Sequence, residues 1–271
     1  MLSLSVGPFA LSLHHLLILL ALGLASVVGW QMSRRGLGSN PEVLIFRLFL
    51  LCLVVARVAF VMRYWAQYRA DPWQIPDIRD GGFLLWPGLA VSGMTALVYG
   101  WRRPLARVTL GTSLVSGLMF WAVTSLASQW YLQERHAQLP DVTLHTAAGE
   151  PVALRSYAGQ PLVINLWASW CPPCRREMPV LLDMQKRHPQ VRFLFVNHGE
   201  TAQIITSFAG TMGLDLQQVA FDSQGDLGRA LGSVALPTTL FYSADGKLLG
   251  SHLGELSTAS LNHALEAFEN Q

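Results

Sequence analysis

The sequence predicts two parts of different fold class: an all-α transmembrane region of about four helices, followed by an α/β domain. Four long apolar segments fill most of the first 130 of the 271 residues, whereas charged residues, turn signals and alternating apolar patterns begin at about residue 137. The chain is 51% hydrophobic and 13% charged, with a mean hydropathy of +0.34, which is too apolar for an ordinary soluble protein. We therefore predict a membrane domain over residues 1–130 and an α/β domain over residues 137–271.

The four apolar segments are each long enough to cross a bilayer, which requires about 20 apolar residues in a helix. The predicted spans are residues 9–30, 43–62, 83–101 and 105–128. The first segment is too long for a simple cleaved signal peptide and lacks a basic start. The sequence therefore predicts a multi-pass membrane anchor.

Arginine placement predicts the direction in which the spans cross. Arg34 and Arg35 lie in the connection between the first two spans, and Arg102 and Arg103 lie in the short connection between the last two. Short basic connections remain in the cytoplasm, so four spans would place both chain ends outside. The second connection also carries arginines, diluted by aspartates, and this opposes the assignment. On balance the pattern favours an orientation in which the C-terminal domain lies outside the cytoplasm.

Short elements alternate along the C-terminal half. Strands are predicted around the Ala-Gly turn of PDVTLHTAAGEPVALRSYAGQ and at PLVINLW, VRFLFVN, TTLFY and LLGSHLG. Helices are predicted from Cys174 to about Arg187, over residues 201–212 and over the last fifteen residues. Asp245-Gly246 between the last two strands is a hairpin signal. This order of elements indicates an α/β domain.

Two cysteines, Cys171 and Cys174, are separated by two prolines in the segment LWASWCPPCRREMP. A metal site would need three or four ligands, and neither a second cysteine pair nor a suitable histidine spacing accompanies the motif. A permanent disulfide that closes so short a loop would add little stability. Both alternatives stay open at this point, but the motif favours reversible dithiol chemistry, for which we expect no cofactor and no metal.

The position of the motif between a buried strand and a helix predicts different roles for the two thiols. Cys171 would lie at the helix N-terminus, where the helix dipole and free amide groups stabilise a thiolate, and would attack the substrate. Cys174, one turn further on and less exposed, would resolve the mixed disulfide. Pro172 and Pro173 lack N–H donors and would stiffen the loop.

Residues from about 138 to 271 resemble the thioredoxin superfamily, and within it the membrane-tethered TlpA/ResA/CcmG-like thiol–disulfide reductases. The resemblance rests on the two-cysteine motif, on Trp167 and Trp170 before it, on Pro179 in the following helix, and on Pro237 in the stretch LPTT. It implies a thioredoxin-like fold and a thiol–disulfide oxidoreductase activity.

The resemblance also implies a substrate-binding surface. Pro237 would be the family's cis-proline facing the disulfide, and the Leu236 backbone would pair with an extended substrate as a strand does. The predicted substrate-binding residues are Trp170, Pro172, Pro173, Leu236 and Pro237.

One position departs from thioredoxin itself. Thioredoxin has a buried aspartate where this chain has Asn165, and asparagine cannot accept the proton of the resolving thiol. In the ResA-like branch a glutamate three residues after the second cysteine lies near the disulfide, and Glu177 occupies that place. The resemblance implies that Glu177 raises the pKa of the resolving thiol or acts as its base. The alternative is an ordinary first-turn glutamate that the helix dipole favours.

Residues 43–101 resemble the second span, periplasmic arm and third span of prolipoprotein diacylglyceryl transferases. Arg57, Asp71-Pro72 and Gly81-Gly82 fall in matching places. The family's His-Gly-Gly stretch is Trp86-Pro87-Gly88 here, and the family's later signature and final spans are absent. The resemblance therefore implies a membrane scaffold that has lost the transferase chemistry, with residual lipid transfer as the alternative.

Three polar or reactive residues of the predicted spans need a reason, because polar groups are costly inside a bilayer. Arg47 and Arg57 can reach an interface by snorkelling, or they can hold an anionic lipid head group or a contact between helices. Cys52 has no second thiol nearby in sequence and is predicted to be a small core residue.

The sequence thus predicts a membrane-anchored periplasmic thiol–disulfide oxidoreductase that reduces disulfides of exported proteins. Its expected partners are protein disulfides, a DsbD-like transmembrane electron donor and membrane lipids, and a net charge of +2 gives no indication of nucleic acid. The alternative is a lipid- or lipoprotein-handling membrane module whose accessory redox domain keeps acceptor cysteines reduced.

Overall fold

The protein consists of two compact units in a computed structural model that describes residues 3–6, 9–136, 138–232 and 235–269. A helical unit comprises Leu13–Pro76 and Gly82–Tyr131. A second unit comprises Met1–Ser12, Asp77–Gly81 and Leu132–Gln271 and holds the α/β domain.

The helical unit is built from four long helices and one short one. They are α1 (Leu13–Arg34), α2 (Glu42–Arg63), the short α3 (Trp65–Tyr68), α4 (Leu85–Arg102) and α5 (Pro104–His136), whose last residues belong to the second unit. Helix α1 begins four residues later than the predicted span, because residues Phe9–Ser12 are extended.

Three helices of the described part of the chain are long and apolar enough to cross a membrane: Leu13–Arg34, Glu42–Arg63 and Pro104–Ser128. Helix α4 is not among them. Its 18 residues include a proline, three glycines, a serine and a threonine, which lower its hydropathy. A helix of that length extends about 27 Å, slightly less than the hydrocarbon core of a bilayer. The third of the four predicted spans therefore stays a prediction.

Small residues let the helices of this unit approach closely. A Cβ atom added to Gly88 of α4 would lie 2.5 Å from the carbonyl oxygen of Cys52 in α2, and one added to Gly117 of α5 would lie 3.0 Å from that of Ala21 in α1. Such approach is how membrane helices gain packing energy without a hydrophobic driving force. The partly buried thiol of Cys52 lies in the contact between α2 and α4.

Arg57 is buried and anchors the connection that follows α2. Its Nε donates to the carbonyl of Ile75 at 3.0 Å, Nη1 to that of Gly82 at 3.0 Å, and Nη2 to that of Gln74 at 2.9 Å. The guanidinium also lies 5.2 Å from the ring centre of Tyr68. These contacts satisfy the cation inside the unit, so they support an internal structural role over snorkelling.

The α/β domain is a seven-stranded mixed sheet in the order β4-β3-β7-β6-β5-β8-β9. Its strands are β3 (Thr143–His145), β4 (Pro151–Ala153), β5 (Leu162–Trp167), β6 (Arg192–His198), β7 (Val219–Asp222), β8 (Thr238–Tyr242) and β9 (Leu248–Leu253), and a separate hairpin pairs β1 (Ser3–Val6) with β2 (Phe9–Ser12). Strands β5, β6 and β7 run parallel, and the other neighbouring strands of the large sheet are antiparallel.

In the described part of this domain, four α-helices accompany the sheet: α6 (Pro172–Arg187), α7 (Ala202–Met212), α8 (Asp226–Leu231) and α9 (Thr258–Glu269). Helix α6 begins two residues before the predicted start, because a proline at the first position of a helix loses no hydrogen bond. Strand β7 and helix α8 were absent from the sequence prediction, since each is too short to show a clear period.

The central strand β5 separates two apolar cores. Val163 and Trp167 pack with residues of α6 and α9 on one face, whereas Leu162, Ile164 and Leu166 pack with residues of α8 on the other. Successive side chains of a strand point to opposite faces, so every residue of β5 is buried. Asn165 shares the face of Val163 and Trp167, and this alternation directs it toward α6.

Candidate active site

The two cysteines lie where β5 leads into α6. Cys171 is the N-cap of α6 and forms a disulfide with Cys174, with a Cα–Cα distance of 5.3 Å. Pro172 and Pro173 have no N–H, so the amide of Cys174 is the first that the helix offers, and it donates to Sγ of Cys171 at 3.3 Å. The same amide and the helix dipole would stabilise a thiolate at Cys171 after reduction.

The residues around the disulfide differ in exposure. Trp170 is 65% exposed directly before the first cysteine, and Pro172 is exposed after it, whereas Pro173 is half-buried. Cys171 is 3% exposed and Cys174 is completely buried. Of the two cysteines, only Cys171 therefore has any exposed surface, and the exposed residues Trp170 and Pro172 adjoin it in sequence.

The bond between Leu236 and Pro237 is cis, which confirms the conformation that the family resemblance implies. Strand β8 pairs with β5 so that Thr238 lies opposite Leu166. Pro237 therefore lies at the end of β5 from which the chain continues to the cysteines. Its carbonyl accepts a hydrogen bond from the amide of Gly254 at 2.9 Å.

Glu177 is only 1% exposed, one turn of α6 beyond Cys174. Its Oε1 accepts from Nδ2 of Asn165 at 2.8 Å, and its Oε2 accepts from the amide of Leu256 at 3.0 Å. Burial raises the pKa of Glu177 to about 8, although the two hydrogen bonds oppose this shift. The carboxyl group therefore exchanges a proton near neutral pH, unlike a solvated first-turn glutamate.

Asn165 contributes more to the site than the sequence revealed. Its Nδ2 also donates to Oγ1 of Thr239 in the neighbouring strand at 3.0 Å, while its Oδ1 is buried and has no hydrogen-bond partner among the residues that the structure describes. An amide inside the otherwise apolar strand LVINLW is the signal by which this residue could have been assigned to the site.

The loop after β9 connects the elements of the site. Gly254 donates to Pro237, and Leu256 donates to Glu177. Between them, Glu255 pairs with Arg176, with 2.6 Å between Oε2 and Nη2. No sequence pattern indicated this loop, because nothing in its composition shows that it reaches α6.

Two family models match the chain in succession. The redoxin model matches residues 135–267, and the prolipoprotein diacylglyceryl transferase model matches residues 1–125.

Individual relatives match the C-terminal part. The thiol-disulfide oxidoreductase ResA of Geobacillus thermodenitrificans is 30% identical over 132 residues, which cover 48% of this chain and 75% of the relative. The thioredoxin-like protein YneN of Bacillus subtilis is 28% identical over 133 residues, covering 48% and 77%. The thiol:disulfide interchange protein CycY of Rhizobium leguminosarum is 27% identical over 176 residues, covering 59% and 93%.

A solved structure of StoA from Bacillus subtilis is 25% identical, covers 46% of this chain and 98% of its own, and has a TM-score of 0.40. The redoxin model and the match to ResA both include the cysteine pair. The protein is membrane-anchored by its apolar N-terminal helices, and it belongs to the ResA-like family of thiol–disulfide oxidoreductases.

Proposed function

We propose that this thiol–disulfide oxidoreductase works as a reductase of exported proteins in the periplasm, anchored in the inner membrane. One observation carries the proposal: Cys171 is the N-cap of α6, and the buried acid Glu177 lies one helical turn beyond Cys174 on the same helix. The proposed catalytic residues are Cys171, Cys174 and Glu177, and the proposed substrate-binding residues are Trp170, Pro172, Pro173, Leu236 and Pro237.

The proposed reaction begins with the reduced dithiol. The Cys171 thiolate attacks a substrate disulfide, a new S–S bond joins Cys171 to the substrate, and the departing substrate sulfur takes up a proton. The Cys174 thiolate then attacks Sγ of Cys171. The Cys171–Cys174 disulfide forms and the second substrate sulfur leaves as a thiol, so that two electrons have passed to the substrate.

Glu177 is suited to the second step. Residues three apart on a helix are neighbours, so its carboxyl group lies on the same face as Cys174. With a pKa of about 8, the ionised group is basic enough to accept the proton of the resolving thiol. We propose that the pair works without a cofactor or metal.

The oxidised pair must be reduced again after each turnover. Cys52 is the only other cysteine of the chain, and a single thiol cannot carry two electrons as an internal disulfide. We propose that a separate DsbD-like transmembrane protein supplies the electrons.

The match of residues 1–125 to the transferase family favours a second candidate function, in which the membrane region handles lipids or lipoproteins. The geometry of Arg57, which three backbone carbonyls hold, supports a scaffold role instead. We propose that this region contacts membrane lipids as an anchor.

The proposal is tested by trapping. Replacing Cys174 with Ala in the full chain removes the resolving thiol, so exported proteins with disulfides should accumulate on Cys171 as mixed disulfides. The matched control, Cys171→Ala, keeps one thiol but should trap nothing. Equal capture by both variants, or capture of lipoprotein precursors alone, would count against a general reductase.

A further inference from the structure

A second buried carboxylate, Glu200, holds the segment that leads to the cysteines. It is 8% exposed and lies two residues after the end of β6. Its Oε2 accepts from the amide of Ser169 at 2.6 Å and from Nδ2 of Asn197 at 2.7 Å, and its Oε1 accepts from the hydroxyl of Ser169. Two of the three hydrogen bonds therefore end on one residue, two positions before Cys171.

The topology explains why these residues meet. Strands β5 and β6 are parallel neighbours in which Trp167 lies opposite Asn197, so the segments that follow the two strands leave the sheet at the same edge. Gly199, with φ of 77°, turns the chain after β6. Glu200 can therefore link the segment after β6 to the segment after β5 through its hydrogen bonds with Ser169.

Burying a carboxylate is costly unless several donors satisfy it. Here the donors are the backbone amide and the hydroxyl of Ser169, just after β5, and the side-chain amide of Asn197, near the end of β6. The same segment is also held by the bond between Cys171 and Cys174 while that bond exists. Reduction or mixed-disulfide formation removes it, whereas the hydrogen bonds between Glu200 and Ser169 do not depend on it.

We propose that Glu200 is a positioning residue that keeps Cys171 at the helix N-terminus while the disulfide is open. By fixing Ser169, it would hold Sγ of Cys171 within reach of the Cys174 amide, which stabilises the thiolate. This role serves the thiol–disulfide activity of the family in either redox direction, and it involves neither Glu177 nor the proposed periplasmic substrates.

Two substitutions in the full chain, purified in detergent, separate the hydrogen bonds from the charge. Glu200→Gln can keep all three hydrogen bonds, because its oxygen accepts from the two N–H groups while its amide donates to a rotated Ser169 hydroxyl. Glu200→Ala removes all three. We expect Glu200→Ala to reduce a peptide disulfide about tenfold more slowly, and Glu200→Gln to stay within about twofold of the unchanged protein.

A second readout reports the position of Cys171 directly. Its alkylation rate across pH 5–9, followed by mass spectrometry, gives the pKa of its thiol. We expect that pKa to rise by about half a pH unit in Glu200→Ala and to stay unchanged in Glu200→Gln, since a displaced sulfur loses part of its stabilisation by the helix terminus. A role in folding alone would leave this pKa unchanged.

Ser169→Ala decides the matter if Glu200→Ala does not fold. This variant removes only the hydrogen bond from the Ser169 hydroxyl to Glu200, so we expect the fold to stay intact. The reaction should be about two- to threefold slower, which corresponds to the loss of one weak hydrogen bond. Loss of rate in Glu200→Gln equal to that in Glu200→Ala would show that charge rather than anchoring matters. Unchanged rates and an unchanged Cys171 pKa in Ser169→Ala would likewise overturn the proposal.

Discussion

The side-chain amide of Asn165 donates to the carboxylate of Glu177 at 2.8 Å, with both residues 1% exposed. Strand β5 and helix α6 thus share a polar contact inside an otherwise apolar core. The donor stabilises the ionised acid, and desolvation favours the protonated acid more strongly. The balance leaves Glu177 able to gain or lose a proton under physiological conditions.

This contact predicts the effect of Glu177→Gln on the reaction. The substitution keeps the shape of the side chain but cannot accept a proton from the resolving thiol. We expect mixed-disulfide resolution to be about tenfold slower, and the increase in rate that accompanies ionisation of Glu177 near pH 8 to disappear. Stopped-flow reduction of a peptide disulfide between pH 6 and pH 9 measures both effects. A variant that keeps the original rate profile would remove Glu177 from the mechanism.

Glu177 also predicts how stability depends on pH. Its pKa rises from 4.5 to about 8 on folding, so the folded protein binds a proton that the unfolded chain releases between those values. The resulting stability is complete below pH 4.5 and is lost as the pH rises through 8. At full effect it is on the order of a few kcal/mol.

We therefore expect the unfolding free energy of the unchanged protein to fall from pH 5 to pH 9 relative to that of Glu177→Gln, which has no acid to ionise. Pulse proteolysis in urea, followed through a C-terminal tag, reports the unfolding of the α/β domain in the full chain. A difference that is constant over this range would show that the acid is not protonated in the folded state.

Local patterns predicted the parts of the site that are close in sequence. The cysteine pair between strand and helix follows from composition and periodicity, and the family resemblance supplied the cis bond before Pro237. The partners of Glu177 could not be predicted in this way. Asn165 is 12 residues away and Leu256 is 79 residues away, so only the sheet order brings them together.

The anchor at Glu200 was missed for the same reason, since Ser169 is 31 residues from it. Its sequence neighbours, a glycine before it and a threonine after it, are typical of an exposed loop end. Burial of such a residue depends on two parallel strands ending at one edge, which hydropathy alone does not show.

The amide of Asn165 predicts a shift in the titration of Glu177. Asn165→Ala removes a donor that lowers the pKa of the acid, so that pKa should rise further. We expect the pH dependence of the resolution rate to move to higher pH by about one unit. Thr239→Val is the matched control, because Thr239 contacts Asn165 but donates nothing to Glu177 in this network. Equal shifts in both variants would indicate a general change in packing.

The two thiols should differ in reactivity. The Cys174 amide donates to Cys171, whereas Cys174 itself is completely buried. In the reduced protein we expect iodoacetamide to label Cys171 at least about tenfold faster than Cys174 near pH 7, with peptide mapping to separate the two from Cys52. Faster labelling of Cys174, or equal rates, would reject the proposed assignment of attacking and resolving thiols.

The side of the membrane on which the dithiol works depends on whether Leu85–Arg102 crosses the bilayer. If all four long helices span, the basic connections at Arg34 and Arg103 lie in the cytoplasm and the α/β domain lies in the periplasm. Alkaline phosphatase, which is active only after export, should then be active when fused after residue 140 and inactive when fused after Arg103 or Gly38.

If Leu85–Arg102 does not cross, activity moves to the Arg103 fusion and the fusion after residue 140 becomes inactive. An inverted orientation gives the same exchange but also activates the Gly38 fusion. Either of these patterns would place the cysteine pair in the cytoplasm, where thiols are kept reduced, and would exclude exported proteins as its substrates.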